Sequence, residues 1–223
     1  MFNNRSWKAG GRLYSVGGPH SYQQMHETKR HKMTINGEPV AEIDIKASQL
    51  TIYHAMVGEP LEGSSDPYAR AGLDRWIAKK WVVVSFGNGA PCLKWPNEAT
   101  EDYEEHRREY KEKTGEELPE LPSARDVARK MLATFPALKK LGHNRELWAD
   151  LQYRESEAIV GTMLTLMRAH RVPSLSMHDG IIVPKSKVDL AKGILTREFH
   201  RVVGVEPMLT VEPEEPVIDA RDL

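Results

Sequence analysis

A single cysteine, Cys92, stands in 223 residues, which excludes an intramolecular disulfide and makes a reducing cytoplasm the expected setting. The opening residues, Met1 to Trp7, carry no apolar core of the kind a signal peptide needs, so none is expected. No apolar stretch approaches the length of a membrane span, and no contact with a membrane is expected. No internal repeat is present, which excludes a repeat array. Low complexity is confined to one charged stretch.

Hydrophobic residues make up 40% of the chain, enough for an ordinary core in one large domain or two small ones. The net charge of -1 hides a division. Residues 101–120 carry nine acidic and four basic side chains, net -5, and residues 206–223 carry six and one, again net -5. The remainder is therefore +9, a basic body that suits a polyanion better than the total suggests.

Residues 10–38 are rich in Gly, His, Lys and Arg with little periodicity, and are expected to form an exposed loop or a phosphate-contacting surface. Val40 to Asp44 predicts a strand with Glu42 and Asp44 on one face. Leu50, Ile52, Tyr53, Met56 and Val57 then fit a helix ending at Gly58. Asp66-Pro67-Tyr68 is a turn into a helix on which Arg75 and Lys79 share a face, before an apolar run, Val82 to Phe86, that breaks at Gly87-Asn88-Gly89. Residues 98–117 predict an exposed, highly charged helix with no apolar stripe strong enough for a core. Val127 to Leu138 forms an amphipathic helix kinked or ended by Pro136. Leu147 to Ala169 is a long helix with Ile159, Met163, Leu166 and Met167 on its apolar face. A hairpin follows, then a helix from Val188 capped by Ser186, and a strand from Met208 to Glu212. Few strands among many helices, with an antiparallel hairpin, argue for α+β: a small sheet with helices on one face.

Two aspartates carry the chemistry. Asp44 ends the first strand, and Asp179 lies at the tip of the hairpin in Leu175 to Val183. A strand end and a hairpin tip can deliver two carboxylates to one spot. Carboxylates are the hard oxygen ligands magnesium prefers, and a carboxylate-held metal pair serves phosphoryl transfer. The plainer readings are a helix cap for Asp44 and a turn former for Asp179.

Asp44-Ile45-Lys46-Ala47-Ser48-Gln49-Leu50 through Gly58 resembles, without a gap, the first palm motif of the family A polymerases, the bacterial DNA polymerase I family. Arg75 and Lys79, followed by Phe86-Gly87, resemble that family's fingers motif, about one residue short. His178-Asp179-Gly180 resembles its last palm motif, H-D-E. Gly11-Arg12-Leu13-Tyr14-Ser15, Phe135-Pro136, Val183-Pro184 and Pro207 to Val211 match further segments in order, so the likeness runs from about residue 10 to 212. It implies a single polymerase-like domain over 1–223, its palm with a small antiparallel sheet at about 10–68 and 145–212. Reduced helical fingers and a charged insertion would fill about 69–144, and an acidic tail 213–223. No thumb or exonuclease domain is expected, and so reduced a chain suits a phage, plasmid or other mobile element.

The resemblance implies a template-directed nucleotidyltransferase. Asp44 and Asp179 would hold two magnesium ions, or manganese. Arg75 and Lys79 would meet the triphosphate, and Phe86 would stack by the templating base or simply fill the core. Gln49 falls where DNA polymerases carry the glutamate that excludes a ribose 2′-hydroxyl. Arg12, Lys29 and Arg30 are candidate phosphate contacts or plain surface charge. His178 would orient Asp179 or the primer terminus, unless it is only a turn residue. Gly180 stands where the family has glutamate. Glu42 is then a candidate third carboxylate, or the partner of a nearby Lys or Arg. The expected partners are a primer–template, nucleoside triphosphates, and self-association or a replication protein in place of the thumb. The rival readings are an RNA-synthesising or priming polymerase, and a silent nucleic-acid-binding accessory protein.

Overall fold

Alternation from Glu38 onward becomes the longest strand of the fold, and the sheet is built around it. In the computed structural model, which describes residues 9–18, 21–63, 65–142 and 146–213, five strands form an antiparallel sheet: β1 (Thr34–Ile35), β2 (Glu38–Ile45), β3 (Leu175–Met177), β4 (Gly180–Pro184) and β5 (Leu209–Glu212). β2 pairs directly with β1, β4 and β5, and β3 completes the edge beyond β4. The class is α+β, as the pattern of elements predicts. The expected acidic tail lies, beyond residue 213, outside the described residues.

The chain divides into two units. The first comprises Met1–Ala55 and Ala149–Leu223, and the second Met56–Trp148. In the first unit, Ile43, Ile45, Ile181 and Val183 are fully buried, and each such side chain contributes about 1.5–3 kcal/mol. The last helix, α7 (Val188–Val203), packs on β2 and β4 and buries Ala191, Ile194, Leu195 and Phe199. On the other face Val40, Met177 and Ile182 form a smaller cluster under Tyr22, Met33 and Ile35.

The N-terminal stretch, expected to be a loop, holds a short helix, α1 (Glu27–Arg30), and the β1–β2 hairpin. Asn36 and Gly37 turn that hairpin at φ 55° and 81°, the left-handed pair that Asn-Gly supplies in two-residue turns. Ala47, at φ 49°, breaks the chain between β2 and α2 (Ser48–Met56). α6 (Leu147–His170) buries Leu151, Glu155, Ile159, Thr162 and Leu166, whereas Met167, expected inside, is exposed.

In the second unit, α3 (Arg75–Asn88) runs through the apolar stretch and ends inside the expected Gly87-Asn88-Gly89 turn. Asp74 caps it on the amides of Trp76 and Ile77, and Gly89 closes it at φ 64°. The charged helix α4 (Asn97–Thr114) does contribute to a core: Ala99 and Tyr103 are buried, and the Tyr103 hydroxyl donates to Pro119 O at 3.0 Å. α5 (Ala124–Thr134) packs on α3, and Pro136 starts a separate short 3-10 turn. Ser186 does not cap α7. Its amide donates to Glu38 at 2.6 Å, and Lys187 occupies the cap position without a side-chain bond.

Candidate active site

Pairing register brings the two aspartates together. Asp44 is the cross-strand partner of Gly180, the residue after Asp179, and the Ile45 amide donates to Asp179 O at 3.1 Å. His178 and Asp179 form the β3–β4 turn, with His178 at φ 38°. Gly180 is required by this approach. A Cβ there would lie 2.1 Å from Asp44 Oδ1 and 2.6 Å from Ile43 O. The room a glutamate would need at that position is filled by Asp44 itself.

Glu42 projects from the same face of β2 as Asp44. Arg30 grips it with two donors, Nε at 2.8 Å and a terminal nitrogen at 3.2 Å, and also donates to Met25 O at 2.8 Å. Glu212 of β5 is the direct partner of Glu42. Burial, then the charges of Glu42, Asp179 and Glu212, push the Asp44 carboxyl up to about 7, with Arg30 pulling against them. The donor set thus gathers more negative charge than Arg30 offsets, and it is oxygen-only. That chemistry fits a hard divalent ion such as magnesium or manganese at Asp44 and Asp179.

Behind Asp179 stands a buried ion pair. Arg12 donates to Glu155 Oε1 from Nε at 2.8 Å and from a terminal nitrogen at 2.5 Å. Glu155 is fully buried on α6, Ser48 of α2 lies beside its carboxylate, and Asp179 is within electrostatic reach of both Arg12 and Glu155. Burial pushes Glu155 up while Arg12 draws it down, and the two-donor geometry is that of a charged pair. Burial, then Arg12, pushes His178 below the usual imidazole range, with Asp179 pulling against them. Tyr14 meets that ring edge-on at 6.1 Å.

Arg12 and Arg30, expected as phosphate contacts, are thus held by internal carboxylates. Lys29 is exposed, and Gln49 is half-buried at the start of α2. Arg75, Lys79 and Phe86 belong to the second unit. Phe86 is buried in its core, the plainer of the two roles set out for it. Arg75 pairs with Asp66 at 2.5 Å, and with Lys79 it lines a cavity of about 690 Å³ between α3 and α4. The opposite wall carries Asp102 and Glu105, with Trp76 and His106 stacked at 5.4 Å. Sequence reasoning missed Glu155, although the signal was present. With Leu151, Ile159, Thr162 and Leu166 it keeps the phase of the buried face, where a carboxylate needs a partner.

No family model matches the chain, and no curated protein matches it. Among solved structures, the POL domain of Pol1 from M. smegmatis, in complex with DNA primer-template and dNTP, is similar at 16% identity and a TM-score of 0.40. The match covers 79% of this chain, which spans 40% of the length of that neighbour. At that level the likeness assigns neither fold nor residues. Among the described residues, no helix is long and apolar enough to cross a membrane.

Proposed function

We propose that the chain is a template-directed nucleotidyltransferase, a minimal DNA polymerase-like enzyme that extends a primer with nucleoside triphosphates. One observation carries this: the β2–β4 register sets Asp44 against Gly180 and beside Asp179, joining two carboxylates from distant segments. In this reading the first unit serves as the palm and the second carries reduced fingers. Two magnesium ions on Asp44 and Asp179 would activate the primer 3′-hydroxyl and stabilise the pyrophosphate leaving group. Arg12, locked by Glu155, and His178 would position Asp179 and the primer end. Gln49, at the start of α2, would crowd a ribose 2′-hydroxyl with nearly the volume of a glutamate. Arg75 and Lys79 would meet the triphosphate on one face of α3.

Primer extension with labelled DNA and RNA primers, magnesium or manganese, and all eight nucleotides tests the reading. Asp44→Asn and Asp179→Asn should each lower incorporation about a thousandfold, since losing ~4 kcal/mol of charge stabilisation has that effect. Deoxynucleotides should be preferred, and Gln49→Gly should weaken the preference. Parental rates in both aspartate variants would sink the assignment. Incorporation absent from the parent, with nucleic acid still bound, would make the chain an accessory protein.

A further inference from the structure

Beside the aspartate pair lies a second cluster with a different donor set. Glu27 and His31 are four residues apart across α1, one helical turn, and therefore project to the same side. β5 brings Glu212 to them, through its register with Glu42. The ligand atoms of Glu27, His31 and Glu212 all lie within 4.8 Å of one another. Independently of this spacing, His31 Nε2 is buried and has no hydrogen-bond partner. It sits 4.0 Å from Glu42 Oε2, which Arg30 already holds. A buried imidazole nitrogen turned towards carboxylates is what a metal ligand looks like before the ion arrives.

We propose that Glu27, His31 and Glu212 form a binding site for one divalent transition-metal ion, separate from the site at Asp44 and Asp179. An imidazole nitrogen with two carboxylate oxygens suits zinc or manganese better than magnesium, which favours oxygen alone. Metal–ligand bonds of about 2.0–2.2 Å need ligand atoms closer together than the present spread. Glu27 is exposed, so its long side chain can swing in to close the site. The ion would clip α1 to β5. Because α1 also carries Arg30, the clip would steady the Arg30–Glu42 pair beside Asp44. The assignment does not depend on the chain being a polymerase.

Zinc titration by calorimetry, with Co²⁺ absorption as the spectroscopic probe, separates the two sites. An Asp44→Asn/Asp179→Asn double variant should still bind one zinc ion. Adding His31→Ala to it should abolish that binding and the nitrogen-dependent Co²⁺ bands. Adding Glu27→Gln instead changes only an exposed side chain, so folding is not at stake, and should weaken zinc binding about tenfold or more. The proposal is overturned if the double variant binds no zinc, or if Glu27→Gln and His31→Ala leave its affinity unchanged.

Discussion

Asp44 is costly to the fold that positions it. Its carboxyl is pushed up to about 7 by burial and then by Glu42, Asp179 and Glu212. A carboxyl whose folded value exceeds its unfolded value binds its proton more tightly in the native state. Its contribution is therefore full below about pH 4 and is lost as the pH rises through about 7. In the metal-free protein at pH 8, Asp44→Asn should accordingly be more stable than the parent, and at pH 4 the gap should close. A shift of this size sets a ceiling of ~4 kcal/mol at ~1.4 kcal/mol per unit, and partial solvent access brings the expectation to about 2 kcal/mol. Urea denaturation in a chelator at the two pH values measures it. Magnesium should then stabilise the parent and not the variant. A parent more stable than Asp44→Asn at pH 8 without metal would contradict this account.

Among the elements, the β3–β4 hairpin and β2 are the most constrained. The β4 residue beside the turn must be glycine, because the Ile43 carbonyl and the Asp44 carboxylate crowd its Cα. The carboxylate can rotate away, but the carbonyl belongs to the strand backbone and cannot. Gly180→Ala should therefore cost about 2 kcal/mol by overpacking, read as a lower midpoint in a circular dichroism melt. A parental midpoint would show that the strands part more easily than this register implies. The hairpin was legible in the sequence, since two short apolar segments flank a tight His178-Asp179 turn. The β1–β2 hairpin carried an equally local signal in Asn36-Gly37, but the surrounding basic residues hid it. The helix α3 ends within the expected Gly87-Asn88-Gly89 turn, at the Gly89 cap, and passes Gly87 itself because twelve upstream residues, the Asp74 cap and tertiary burial of Trp81, Val82, Ser85 and Phe86 carry it that far.

For the molecule as a whole, charge decides how well it holds a polyanion. The body of +9 is offset by two segments of -5 each. Arg12 and Arg30 are, moreover, committed to Glu155 and Glu42 and are not surface cations. With few phosphate contacts left, primer–template binding should be micromolar or weaker at physiological salt and fall about tenfold or more between 50 and 200 mM salt. Extension products should be a few nucleotides long unless self-association or a partner supplies grip. Fluorescence anisotropy across a salt series, with gel analysis of products, tests both points. Tight binding and long products at physiological salt from the monomer would overturn them.

Local pattern alone determined the α+β class, the strand that carries Asp44, the hairpin presenting Asp179 and the helices after them, because period, turn chemistry and glycine breaks act within a few residues. The partners of the charged groups were decided only by tertiary structure. Whether Glu42 faces a metal or an arginine, whether Arg12 meets a phosphate or Glu155, and whether Phe86 is a surface or a core depend on which segments burial brings alongside. A charge is satisfied by whatever lies within a few ångströms in space, and distance along the chain does not encode that. The same is true of Glu27, His31 and Glu212, which share a corner only because β5 returns beside β2.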